Sequence, residues 1–251
     1  GGGSLDAFLV KFNASGLRQW GTYYGGTGPD TGNSCVVDGS GNVYLAGSTS
    51  SDTAIASAGH QNANGGDGDA FLAKFNPNGV RQWATYYGGM SGEAGYSSAA
   101  DGSGNVYLAG LTGSDNAIAS DGHQSTYGGG TWDAFLVKFN DSGIRQWATY
   151  YGGAGWDQGT SCTVDGNGNV YLAGLTGSDT AIASGGHQNI YGGGMYDAFL
   201  VKFNTNGIRQ WGTYYGGTSD NYGYSCAVDG NGNVYLVGWT ASDTTIVSGG
   251  Y

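Results

Sequence analysis

The chain has 251 residues, 53 of them Gly and only two Pro, with eight Lys and Arg against nineteen Asp and Glu, for a net charge of −11. Glycine without a Gly-X-Y period excludes collagen, and 39% hydrophobic with 14% aromatic residues is too apolar for a disordered chain. The acidic balance makes nucleic acid and anionic membrane surfaces poor partners, so neither is expected, and no apolar run is long enough for a membrane-spanning helix.

The first element, around Asp6 to Phe12, alternates Phe8, Val10 and Phe12 with Ala7, Leu9 and Lys11, the period of a half-buried strand. Asn13 to Gly16 has the composition of a turn. A second strand runs from Leu17 to Tyr24, rich in the aromatic and Thr residues that suit a pleated surface. A third is Cys35 to Val37. The tract Asp38-Gly39-Ser40-Gly41-Asn42 tolerates positive φ and predicts a tight hairpin leading into a fourth strand, Val43 to Ser48. Thr49 to Gly68 reads as a long polar loop. No segment carries a capped helical pattern, so the expected fold class is all-β.

This order then recurs. Asp-Ala-Phe-Leu-x-Lys-Phe-Asn starts at Asp6, Asp69, Asp133 and Asp197, at spacings of 63, 64 and 64 residues. Arg-Gln-Trp follows at Arg18, Arg81, Arg145 and Arg209, and Gly-Asn-Val-Tyr-Leu at Gly41, Gly104, Gly168 and Gly232. The chain therefore reads as one repeat domain with copies at approximately 1–63, 64–127, 128–191 and 192–251. Gly1-Gly2-Gly3 matches Gly128-Gly129-Gly130 and Gly192-Gly193-Gly194, which makes the opening residues repeat sequence. Tyr251 falls where His60, His123 and His187 stand, inside a repeat, as expected of a portion of a longer tandem array.

Asp-Ala-Phe-Leu-Val-Lys-Phe-Asn, then Trp-x-Thr-Tyr-Tyr-Gly-Gly, then Val-Asp-Gly-x-Gly-Asn-Val-Tyr-Leu-Ala-Gly, resembles the bacterial β-propeller repeats called SBBP repeats, and its last part is similar to the NHL-type blade. The resemblance spans all four copies. It implies four-stranded antiparallel blades and a secreted or cell-surface setting, with no shared catalytic motif. It also implies a phase in which the inner strand is Cys35 to Val37, followed by Val43 to Ser48, Asp69 to Phe75 and Val80 to Tyr87. That leaves one blade split between the chain ends, with Phe8, Val10, Phe12 and Trp20 on one half and Val234 and Leu236 on the other. Two outcomes stay open: a two-plus-two clasp that closes a four-bladed ring, or completion by a neighbouring chain, which propagates head to tail.

Residues able to carry chemistry are few. Cys35, Cys162 and Cys226 share one repeat position and are expected as free buried thiols, too far apart for disulfides. His60, His123 and His187 share another and are expected to pack within their own loops. The Asp-Gly-x-Gly-Asn turns at Asp38, Asp101, Asp165 and Asp229 lack the further acidic ligands of a calcium loop, so hairpin chemistry is the simpler expectation, with calcium the one cofactor left open. With a single Glu, no Gly-x-Ser-x-Gly and no His-Glu-x-x-His, no catalytic or metal-binding residues are assigned and an enzyme is not expected. Trp156, Tyr222 and Trp239, not shared by every copy, are candidate contacts for sugars or proteins. Thr53, Thr180 and Thr244, each after Asp, are candidate glycan acceptors. The expected role is a structural module outside the cell or on its surface, partnered by copies of itself or by glycans. The alternative is a multivalent carbohydrate-binding propeller.

Overall fold

The structure is a computed structural model that describes residues 2–243 and 246–248. Among these residues there is no helix, and sixteen strands form five antiparallel sheets. β1 (Ala7–Phe12) pairs with β2 (Arg18–Tyr24) alone. Three four-stranded sheets follow: β3 (Asp30–Val37), β4 (Val43–Thr49), β5 (Asp69–Phe75) and β6 (Arg81–Tyr87); β7 (Glu93–Ala100), β8 (Val106–Thr112), β9 (Asp133–Phe139) and β10 (Arg145–Tyr151); β11 (Asp157–Val164), β12 (Val170–Thr176), β13 (Asp197–Phe203) and β14 (Arg209–Tyr215). β15 (Asn221–Val228) and β16 (Val234–Thr240) are the last strands among the described residues and form a second two-stranded sheet.

Each complete sheet thus takes two strands from one copy and two from the next, the phase the repeat implies. Its inner strand begins earlier than Cys35, however. β3 starts at the buried Asp30, and the residues that follow, Thr31 to Asn33, are polar or glycine, exposed and interrupted by a bulge between Gly32 and Ser34. A strand with no apolar alternation gives no period-two signal, which is why only its last residues were legible.

Successive sheets stack face to face. β7 lies against β3, β4 and β5, β11 against β7, β8 and β9, and β15 against β11, β12 and β13. The core is therefore distributed between blades. Tyr44, Leu72 and Trp83 of the first complete blade meet Leu108, Phe135 and Val137 of the second, and the pattern repeats at the next junction with Tyr107, Leu136 and Trp147 against Leu172, Phe199 and Val201. Nearest-neighbour burial of this kind makes stability a sum of joints.

A tryptophan and a lysine bolt each joint. Trp20, Trp83 and Trp147 lie on Gly79, Gly143 and Gly207 of the following hairpin, so close that a Cβ at Gly79 would sit 2.8 Å from Trp20 Cδ2. These glycines also hold φ between 74° and 80°, a left-handed conformation that side chains resist. The indoles donate to the carbonyls of Pro77, Asp141 and Thr205 at 3.0, 2.8 and 2.9 Å. Lys74, Lys138 and Lys202 stand 5.2 to 5.5 Å from the ring centres of Tyr44, Tyr107 and Tyr171, a cation–π distance. Lys74 continues to the next hairpin, pairing with Asp141.

The segment expected as a polar loop, Thr49 to Gly68, is more than that. Ile55 and its counterparts Ile118 and Ile182 are fully buried. Ser57 exchanges backbone hydrogen bonds with Ala84 on the outer strand β6, and Gln61 accepts from Tyr86, all at 2.9 to 3.0 Å. The same contacts recur on β10 and β14. The return segment therefore covers part of the sheet's outer edge.

Candidate assembly site

Within the blades the third strand pairs with the second in one fixed register: Val43 opposite Phe75, Leu45 opposite Ala73, Gly47 opposite Phe71. The glycine is required first by the inner strand's backbone and then by the phenylalanine ring above it. A Cβ at Gly47, Gly110 or Gly174 would meet the carbonyl oxygen of Thr31, Ala94 or Gln158 at 1.8 to 1.9 Å and the ring of Phe71, Phe135 or Phe199 at 2.7 to 2.9 Å. These three rings are fully buried, at 0% exposure, whereas Phe8 of the first copy is 69% exposed.

At the other end no ring lies over the equivalent glycine. Gly238 of β16 has the same pairing position, but the three atoms nearest an added Cβ are backbone atoms of Tyr222 and Gly223. A cavity of about 230 Å³ opens there, lined by Ala198, Tyr215, Leu236, Gly238 and Trp239 among others. Val237 and Tyr235, both 61% exposed, face solvent beside it.

The chain does not close on itself. Among the described residues the terminal pairs β1–β2 and β15–β16 stay separate two-stranded sheets, so the clasp within one chain is corrected to an open array. Of the residues expected in it, Phe8 and Phe12 are exposed and Val10 half-buried. Trp20 instead caps Gly79 of the next blade, and Val234 and Leu236 pack back against Tyr171 and Cys226. Each end of the array therefore keeps an incomplete blade.

The unshared aromatics form two clusters. Tyr222 and Trp239 stack at 4.4 Å and 16°, and the Trp239 indole donates to Tyr224 Oη at 2.7 Å. Trp156 pairs with Trp132, 6.4 Å apart, over a groove of about 440 Å³ that also takes in Tyr96 and Leu111. Trp132 and Tyr96 were not singled out from the sequence; Trp132 stands in a column with Leu5, Gly68 and Tyr196, and Tyr96 in one with Asn33, Thr160 and Tyr224, and that variability is the one signal available. A second hollow of about 470 Å³ is lined by Asn33, Tyr96, Gln158, Thr160, Tyr222 and Tyr224, from the inner strands of four successive sheets.

Cys162 and Cys226 are buried, and burial pushes their thiols up to about 12 and 11. Cys35 is exposed, against expectation. The sheet before it holds only the outer strands β1 and β2, so no inner strand covers that face. Between inner strands the backbone N–H groups of Ser98, Cys162 and Cys226 donate to the hydroxyls of Ser34, Ser97 and Ser161 at 3.0 to 3.1 Å.

His60 and His123 do not keep to their own loops. Each reaches the following blade, His60 lying 6.2 Å from Phe139 and His123 6.3 Å from Phe203. Burial lowers both imidazole pKa values, with Arg145 and Arg209 adding to it. In the hairpins, Asp38 accepts from the backbone of Ser40 and Asn42 and from the Asn42 amide at 2.8 to 3.0 Å. Burial alone would raise this carboxyl, but those hydrogen bonds outweigh it and hold the group below its usual range. Thr53 and Thr180 are exposed; Thr244 lies outside the described residues.

The SBBP family, described as a beta-propeller repeat, matches residues 19–52, 146–179 and 210–243, which bears out the resemblance read from the motifs. The chain is also 28% identical over 211 residues to the "Regulatory protein FlaEY" of Caulobacter vibrioides, a match covering 81% of this chain and 21% of that protein. It thus spans about a fifth of the length of the curated relative it matches.

Proposed function

We propose, for a chain with SBBP beta-propeller repeat matches in three of its four copies, that its work is structural and non-enzymatic: a module that extends head to tail by blade completion, outside the cell or on its surface. The observation that carries this is the complementarity of the two ends. The notch at Gly238 has the shape that Phe71, Phe135 and Phe199 fill elsewhere, and Phe8 is the one exposed member of that set. In the register of the complete blades, Phe8 of a second copy stands opposite Gly238, Val10 opposite Leu236 and Phe12 opposite Val234. Strand addition of this kind joins main chains while side-chain pockets set the register. A contact between two different faces propagates when it does not close.

Light scattering of the chain over a range of concentrations tests it. The expected mass rises above the 25.6 kDa of one chain as concentration increases, and replacing Phe8 and Val10 by Asp returns it to one chain. A constant single-chain mass sinks the proposal.

A second reading, carbohydrate binding, is supported by the Trp132–Trp156 groove, whose aromatic floor carries the polar Thr31, Ser48 and Asp67 on its rim. A glycan array distinguishes it. Binding to one sugar class that is lost in Trp156→Ala favours the lectin, and silence on every sugar removes it.

A further inference from the structure

The joints between blades contain buried acid pairs. The aspartate that opens a third strand faces the residue that opens the next blade's inner strand: Asp69 faces Glu93, Asp133 faces Asp157, and Asp197 faces Asn221. All six side chains are buried. A glycine makes room for each pair; at Gly152 an added Cβ would lie 2.7 Å from both Asp133 Oδ1 and Asp157 Oδ2, and Gly88 and Gly216 stand in the same way between the other two.

Donors satisfy most of these oxygens. Glu93 accepts from Thr112 Oγ1 at 2.7 Å and from the Gly89 N–H at 2.9 Å. Asp157 accepts from Thr176 Oγ1, from Ser178 Oγ at 2.7 Å and from the Gly153 N–H at 2.9 Å. Asp69 accepts on Oδ2 from the Gly65 N–H at 3.0 Å and Gln61 Nε2 at 2.7 Å, and Asp133 on Oδ2 from the Gly128 N–H at 2.6 Å. Their Oδ1 atoms, buried and turned to the opposing acid, have no hydrogen-bond partner. A buried polar atom left so requires an explanation. The third joint supplies it. There the opposing residue is an amide, and Asn221 Nδ2 donates to Asp197 Oδ1 at 3.0 Å.

We infer that the Asp69–Glu93 and Asp133–Asp157 pairs each hold a shared proton, carried on the aspartate Oδ1 and donated to the opposing carboxylate, and that each is an acid-strengthened joint between blades. Asn221 does permanently with an N–H what the proton does at the other two joints. A cation is the poorer occupant. Calcium takes about six to eight oxygen ligands, and most oxygens here are already committed to donors.

The electrostatics agree. Burial pushes Asp69 and Asp133 up to about 7; the Gly65 and Gly128 N–H groups oppose the shift, and the charges of Glu93 and Asp157 add to it. Glu93 and Asp157 are raised as well, by burial first. Two like charges in one dry site cannot both ionise cheaply, so each pair titrates as a unit. The other titratable groups around the pairs are phenols. Tyr86 and Tyr127 are held at about 12, and Tyr87, Tyr150 and Tyr151 are raised by burial, so all stay neutral. Beyond them, the exposed Asp52 and Asp115 act on Tyr86 and Tyr150.

The sign follows from linkage. A carboxyl whose folded pKa lies above its ordinary value of about 3.9 contributes stability that is fully present below that value and is lost as pH rises through about 7. The melting temperature of the chain is therefore expected to fall by several degrees from pH 5 to pH 7.5, beyond the change seen in the doubly substituted Glu93→Gln, Asp157→Asn protein. Infrared spectra at pH 6 are expected to show a protonated carboxyl band in the parent that is weakened in that variant. If the variant does not fold, the band in the parent alone decides. No such band, an unchanged pH dependence in the variant, or a calcium-induced rise in melting temperature at pH 7.5 would overturn the inference.

Discussion

Trp147→Ala is expected to destabilise the chain by about 3–5 kcal/mol, the range for deleting a large buried aromatic, and to lower its melting temperature by roughly 8–15 °C. The indole is only 3% exposed, lies 6.1 Å from Tyr107 and 6.5 Å from Phe203, and spans two blades through its hydrogen bond to the Thr205 carbonyl. Removing it leaves a cavity between the blades and a Thr205 carbonyl that keeps only the long 3.4 Å hydrogen bond from Lys138 Nζ. Because stability in a stacked array is local to each junction, the loss should concentrate at the joint between the β7–β10 and β11–β14 sheets. Amide exchange would report it as faster opening of β11 to β16, with β3 to β6 little changed. Uniform loss of protection along the whole chain would contradict that locality.

The second large effect is a contrast between equivalent residues. Phe135→Ala is expected to cost about 3–5 kcal/mol, since the ring is fully buried over Gly110 and 5.3 Å from Tyr87. Phe8→Ala removes the same side chain from the same repeat position and is expected to change the stability of a dilute chain by less than about 0.5 kcal/mol, because the ring is solvent-exposed. Chemical denaturation of both variants at low concentration measures the difference. Repeating it at high concentration asks more: as copies add, Phe8→Ala should become costly too, because the ring would then be seated in a neighbour's notch.

Much of this architecture was legible in the sequence. Period-two alternation in Ala7 to Phe12 and the positive-φ residues of the Asp38 to Asn42 turn specify local geometry, and a column of repeats displays them four times. What was not legible depends on contacts between copies. The first half of β3 is polar because it faces a hollow, so it carries no alternation. The segment around Ser57 and Gln61 meets β6 through backbone hydrogen bonds, joined by the Thr85 hydroxyl and the Gln61 amide, and none of these contacts leaves an apolar period in the sequence. Cys35 is exposed and Cys162 buried at one repeat position because only Cys162 has a complete blade before it. The acid pairs join residues 24 positions apart, as in Asp133 and Asp157. Their only trace was Asn221 in a column otherwise held by Asp30, Glu93 and Asp157.

The return segment that covers β6, β10 and β14 also governs shape. Its backbone groups occupy part of the row of donors and acceptors that an outer strand would otherwise offer to a neighbour. Sideways recruitment of strands, the route by which sheets broaden into aggregates, is thus obstructed along the flanks of the complete blades, while the two ends keep complementary faces. On the proposed head-to-tail completion, growth is directed to the two incomplete blades, and the covered outer edges take no part in it.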